Sequence, residues 1–168
     1  MDKRLLVVAD CIVIALIAFL MLANISAYVF HKPMIAVVKG ISMIPLLHTG
    51  DVVLIDPFDR DIKLNDIVVY LNDEGEYVVH RVVAILICDD GTRLYVTKGD
   101  NDPVIDVLDI AILTSTHCRY GLLKVYAVNS AILKQVEQVG KGIPPQRIVG
   151  KLIEVDGEPI KIVGLCLG

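Results

Sequence analysis

The stretch GISMIPLLHTGD, Gly40 to Asp51, carries one serine, Ser42, among branched apolar side chains and a methionine. A serine hydroxyl is a poor nucleophile at neutral pH unless a base accepts its proton. The chain has four histidines that could act as that base, His31, His48, His80 and His117. His31 borders the most apolar run, His48 follows the serine in the same turn, and His117 precedes a helical pattern. His80 stands in the middle of the β-type run YVVHRVV. On pattern alone a strand histidine reads as a surface residue. The acidic stretch TKGDNDPVID adds Asp100, Asp102 and Asp106 around a glycine and a proline. Its plain reading is a solvated acidic turn, and its spacing does not match a calcium-binding loop. Its chemical reading is that one carboxylate reaches the histidine ring, fixes its tautomer and stabilises the imidazolium.

Such a constellation needs elements to hold it. The chain has 168 residues, enough for one domain with a core or a small domain plus an anchor. Hydrophobic content is 55% and mean hydropathy is +0.64, both high for a soluble domain. Net charge is −4 with no basic cluster, which leaves nucleic-acid binding without support. The cysteines Cys11, Cys88, Cys118 and Cys166 form no CxxC pair and no zinc-like cluster with histidine, so no metal or cofactor is expected. Buried free thiols are the simplest expectation. A single disulfide among Cys88, Cys118 and Cys166 is the alternative.

Cys11 to Phe30 is an uncharged run of twenty residues. As a helix it would rise about 30 Å, the thickness of the bilayer's hydrocarbon. Lys3 and Arg4 precede it, which predicts a cytoplasmic N-terminus and a domain outside the membrane. His31 and Lys32 follow it and weaken that bias. Tyr28 falls near the outer interface, where aromatic rings are favoured. A cleaved secretory signal is the competing reading, with ANISA as the cleavage region. The expected organisation is residues 1–31 as cytoplasmic end and transmembrane anchor, and 32–168 as an extracytoplasmic domain.

After Pro33 come short runs rich in β-branched residues: MIAVV, DVVLI, DIVVYL, YVVHRVVAILI, RLYVTKG, RIVGKLIEV and IKIVGL. Polar and glycine turns separate them, and NDEGE reads as a hairpin loop. The expected fold is mainly β: a compact antiparallel β domain. The exception is YGLLKVYAVNSAILKQVEQVG. Apolar residues at Leu122, Val125, Val128, Ile132, Val136 and Val139 predict an amphipathic helix ending at Gly140.

GISMIPLLHTGDVVLID resembles the catalytic-serine box of type I signal peptidases, with Leu46 where that box carries threonine. VVHRVV resembles their second box. Bacterial members place a lysine base there, whereas archaeal and endoplasmic-reticulum members place a histidine, as at His80. TKGDNDPVID resembles their Gly-Asp-Asn box. Asp100 and Asp106 fall on its two acidic positions, Asp102 stands for its second asparagine, and Val107 for the second of its paired aspartates. IPPQRIVGKLIEV resembles their closing strand. The boxes follow family order behind an anchor, and the resemblance covers nearly the whole chain except 108–142, which by that comparison reads as an insertion holding the expected helix.

The resemblance implies a membrane-anchored serine endopeptidase without cofactor or metal that removes signal peptides from preproteins at the bilayer, near the translocon. It implies Ser42 as nucleophile and His80 as general base. Asp100 is expected to orient His80 and Asp106 to support the site by a second hydrogen bond or an ion pair with Arg81; the reverse assignment stays open. The Ser42 N–H is expected as oxyanion donor. Gly40, Ile41, Met43, Ile44 and Pro45 are expected to meet the substrate. Two alternatives remain: a Ser-Lys peptidase using Lys98 or Lys63, and a non-catalytic membrane-tethered β subunit of a secretion complex.

Overall fold

The computed structural model describes residues 3–30, 33–108 and 115–164. His31, Lys32, residues 109–114 of the expected insertion and Cys166 lie outside the described residues. The first helix, α1, is Lys3–Phe30. Its described side chains are exposed on every face, with Ile14 at 66% and Leu22 at 64%. Among the described residues, no helix is long and apolar enough to cross a membrane.

The β-branched runs form strands as their composition predicts. In chain order these are β1 (Ile35–Val37), β2 (Val52–Asp56), β3 (Ile67–Leu71), β4 (Tyr77–Cys88) and β5 (Arg93–Lys98). Then come β6 (Thr116–His117), β7 (Leu122–Ala127), α2 (Ser130–Val139) and β8 (Lys141–Gly142). The chain closes with β9 (Ile148–Leu152), β10 (Glu154–Val155), β11 (Glu158–Pro159) and β12 (Lys161–Ile162). The main sheet runs β1-β2-β9-β3-β4-β5, with β12 also on β2 and β7 also on β4, all antiparallel. NDEGE makes the β3–β4 hairpin, with Val68 opposite His80 and Leu71 opposite Tyr77.

Strand β4 is the spine. Its first half pairs with β3 through Arg81, and its second half lies between β5 and β7. A register shift between Val82 and Ala84 marks the change; such irregularities bend and twist a strand. Two apolar clusters flank this bend. One gathers Val38, Met43, Leu47, Val53, Ile55, Ile67, Val69 and Leu152 under the serine turn. The other packs Ala84, Leu86, Leu94 and Val96 against Ile132 and Val136 of α2.

The expected long helix is half strand. Leu122–Val128 lie before α2, and 122–127 pair with Ala84–Cys88 as β7. The 3.6-residue spacing holds only from Ile132 onward, because the free edge of β4 recruits the β-rich half. Asn129 caps α2 by accepting from the Ile132 N–H at 2.9 Å, and Gly140 ends it in the left-handed conformation at φ 60°.

The cysteines also depart from the simplest expectation. Cys88 and Cys118 form a disulfide across a sequence separation of 30, and Cys11 is free. The bridge ties the end of β4 to the segment entering β7. Loop-closure entropy at this separation is worth about 3–4 kcal/mol. Replacing both cysteines with alanine should lower unfolding free energy by roughly that amount in urea titrations of the full chain in detergent. Coincident midpoints for wild type and variant would contradict the bridge.

Candidate active site

Ser42 sits in the loop joining β1 to β2. Backbone bonds close the loop at its base: Val38 N–H donates to Asp51 O at 2.8 Å and Gly50 N–H to Val38 O at 2.9 Å. Thr49 holds both ends of the turn, its Oγ1 accepting from Gly40 N–H at 3.0 Å and donating to Gly40 O at 2.8 Å. Gly40 adopts φ 105°, a conformation that side chains disfavour. Met43 and Leu47 then plug the turn into the core, at 2% and 0% exposure. The serine is thus presented by a loop that Met43 and Leu47 anchor in the core, while Ile41 beside it is exposed.

His80 projects from β4 on the same face as Val68 and Tyr70, since directly paired residues and alternate residues share a face. It is buried, not a surface residue. Its Nε2 lies 3.0 Å from Ser42 Oγ, and its Nδ1 lies 2.7 Å from Asp106 Oδ2. An ionised carboxylate only accepts, so Nδ1 carries the hydrogen. Nε2 then presents a lone pair to the serine hydroxyl. The same Asp106 oxygen accepts from Tyr70 OH at 2.8 Å and Thr97 Oγ1 at 2.5 Å. Tyr70, His80 and Thr97 come from three neighbouring strands and converge on one buried carboxylate.

Asp106, rather than Asp100, makes the histidine contact. Strand alternation turns Arg81 away from His80, and Asp100 follows Arg81. Their pair is bidentate, Nε to Oδ1 and NH2 to Oδ2 at 2.8 Å each, and it raises the guanidinium pKa further. Arg81 also donates to Asn65 O at 2.9 Å. Asp100 therefore braces the acidic loop. Asn101 fastens that loop to the serine turn: its N–H donates to Ser42 O at 2.7 Å and its side chain to Ile41 O at 3.3 Å.

Lys98 and Lys63 make their described contacts with other groups than the serine hydroxyl. Lys98 Nζ donates to Gly99 O at 2.7 Å and Asp102 O at 2.6 Å. Lys63 pairs with Asp61 on the surface. Beside Ser42 lies a cavity of about 280 Å³ whose walls include Ala36, Val38, Gly40, Met43, Val69 and Val79. Gly40 and Met43 thus line it, whereas Ile41, Ile44 and Pro45 do not. Sequence reasoning misses Tyr70, Thr97 and Asn101. A signal for the first two exists, as isolated polar groups in apolar strands adjoining the His80 strand.

The match of Peptidase S24-like proteins covers residues 24–101, a segment that holds Ser42 and His80 and stops before Asp106. Relatives include the signal peptidase complex catalytic subunit SEC11 of Zygosaccharomyces rouxii. It is 32% identical over 119 residues, 69% of this chain and 62% of the relative. The chain belongs to the type I signal peptidase family, of the endoplasmic-reticulum and archaeal type. SEC11 of Eremothecium gossypii is 36% identical over 78 residues, 46% of each chain. Human SEC11C is 37% identical over 78 residues, 45% of this chain and 40% of the relative. The chain therefore aligns with about half the length of these curated relatives.

One carboxylate anchors the serine turn from below. Asp51 is buried and accepts from His48 N–H at 3.0 Å and Gly164 N–H at 2.9 Å. The His48 bond, with smaller help from Gly164 and Lys161, holds its carboxyl below the ordinary aspartate value. A depressed pKa in the folded state adds stability above the unfolded value and loses it as pH falls through the folded one. Wild-type stability should therefore decline as pH drops below about 4. Asp51→Asn should be less stable at neutral pH and show a shallower acid decline, read from urea midpoints between about pH 2.5 and 7. An unchanged acid slope would contradict this role.

Proposed function

We propose that this protein is a membrane-anchored serine endopeptidase that removes N-terminal signal peptides from secreted preproteins. The observation that carries the reading is the continuous relay from Ser42 Oγ to His80 Nε2, 3.0 Å, and from His80 Nδ1 to Asp106, 2.7 Å. Both distances fall within the range for proton transfer along hydrogen bonds. Ser42 attacks the scissile carbonyl as Nε2 takes its proton. Asp106 keeps the ring oriented and stabilises the imidazolium. The Ser42 N–H serves the developing oxyanion, and preorganised donors of this kind usually give the largest single contribution. Nε2 returns the proton to the leaving amine, and water then releases the acyl group by the same route.

Substrate class follows from the cavity and the anchor. Its apolar stretch, with Ala36, Val38, Met43, Val69 and Val79, suits small side chains before the cleavage site, and Lys39 and Glu76 add polar walls for an extended segment. The uncharged run Cys11–Phe30, continuous with a helix that buries none of its described apolar side chains, serves as the transmembrane anchor. Ser42 is twelve residues past it, which keeps the nucleophile near the membrane surface where a preprotein emerges. Lys3 and Arg4 put the N-terminus in the cytoplasm. The Cys88–Cys118 bridge favours an oxidising compartment for the β domain. The relatives are named as subunits of a signal peptidase complex, so association with further subunits or with the translocon fits this chain as well.

Cleavage of a preprotein by the full chain in detergent tests the reading. Ser42→Ala and His80→Ala should each lower kcat/KM by at least about 10³-fold per folded molecule, and Ser42→Ala should keep a urea midpoint near wild type. Retained cleavage in both variants would refute it.

A further inference from the structure

Asp102 has no part in the relay, yet its carboxylate stands beside it. Oδ2 lies 3.6 Å from His80 Nε2, the nitrogen that faces Ser42. Among the described residues, the His80 imidazole is the one basic side chain within 4.0 Å of it, and the two form an ion pair only when the ring is protonated during the reaction. The side chain is 33% exposed, so it opens to solvent. Its position is fixed by backbone: Asp102 N–H donates to Gly99 O at 3.0 Å and Asp102 O accepts from Lys98 Nζ at 2.6 Å. A Cβ at residue 99 would lie 2.0 Å from Oδ2, so only glycine there lets the carboxylate lean toward the histidine. Asp102 is also absent from the lining of the cavity beside Ser42, although His80 lines it. The carboxylate thus stands at the relay but outside the walls of the cavity.

The geometry points to Asp102 as a specificity-determining residue for the part of the substrate after the scissile bond: it favours a positively charged start to the mature chain. This rests on the signal-peptidase reading above. If the segment before the bond fills the cavity, the leaving amine departs on the other side. When the tetrahedral adduct collapses, the C–N bond breaks and its electron pair goes to nitrogen. The proton on Nε2 moves to that nitrogen and a neutral amine leaves. It then takes a proton from water, because a free α-amine has a pKa of about 8. To receive the Nε2 proton the amine must sit about 3 Å from that atom. It therefore lies no more than roughly 6.6 Å from Asp102 Oδ2, the sum of that reach and the 3.6 Å separation. A charge carried by the first mature residue falls in the same field. The carboxylate is partly exposed, so screening moderates the effect.

The test uses the full chain in detergent and three preproteins that differ only in the first mature residue: lysine, glutamine or glutamate. The wild type should cleave the lysine form roughly tenfold faster than the glutamate form by kcat/KM at low salt. That ratio should fall to about twofold or less in Asp102→Asn. It should also shrink in the wild type as ionic strength rises from about 0.05 to 0.5 M. A wild-type ratio near one, or a ratio that survives both Asp102→Asn and high salt, overturns the assignment. The salt series keeps the test decisive if the variant does not fold. Failure of the wild type to cleave even the glutamine form overturns the peptidase reading itself, and this inference with it.

Discussion

One buried oxygen organises this molecule. Asp106 Oδ2 accepts hydrogen bonds from His80, Tyr70 and Thr97, each on a different strand. A carboxylate at 3% exposure is costly unless its lone pairs are satisfied. Three donors meet that demand only when β3, β4 and β5 hold their register. Paired strands therefore serve two ends at once. They build the sheet, and they bring a phenol, an imidazole and a hydroxyl to one point. Tyr70, fully buried, also sets its ring edge-on to the imidazole with centroids 6.4 Å apart. The ring has little freedom left except along the line toward Ser42.

The serine is held by a different logic. Its loop cannot borrow rigidity from a ladder, so it uses plugs and ties. Met43 and Leu47 enter the core, Thr49 bonds Gly40 twice, and Asp51 and Lys161 fasten the turn to the closing part of the chain, Lys161 by donating to Leu46 O. Asn101 joins this loop to the acidic loop that also carries Asp102. Asp100 stiffens that second loop through Arg81. The two loops meet over His80, which is why a relay drawn from residues 42, 80 and 106 has little slack.

Much of this is legible in the chain. The β-branched runs name the strands, the NDEGE turn names a hairpin, and Ser42 and His80 stand out by their settings. Three things are not legible, for physical reasons. The choice between Asp100 and Asp106 depends on which face of β4 each meets, and spacing in an irregular loop does not encode that. The helix over-extends because Leu122, Val125 and Val128 fit a helical period locally, while the open edge of β4 offers a stronger, non-local partner. The Cys88–Cys118 bridge requires knowing that the chain returns to the end of β4 after 30 residues. The side chains that serve Asp106 are visible only as lone polar groups in apolar strands, a signal that acquires meaning once the strands are aligned.

The most direct test of the central claim compares Asp106→Asn with Asp100→Asn. Each would be assayed for preprotein cleavage by the full chain in detergent, with rates normalised to folded protein. An amide at 106 can no longer hold the imidazole in the required tautomer, so kcat should fall by about 10³–10⁴-fold. An amide at 100 weakens the tie to Arg81 and should cost less than about tenfold. An inactive Asp100→Asn beside an active Asp106→Asn would contradict the account.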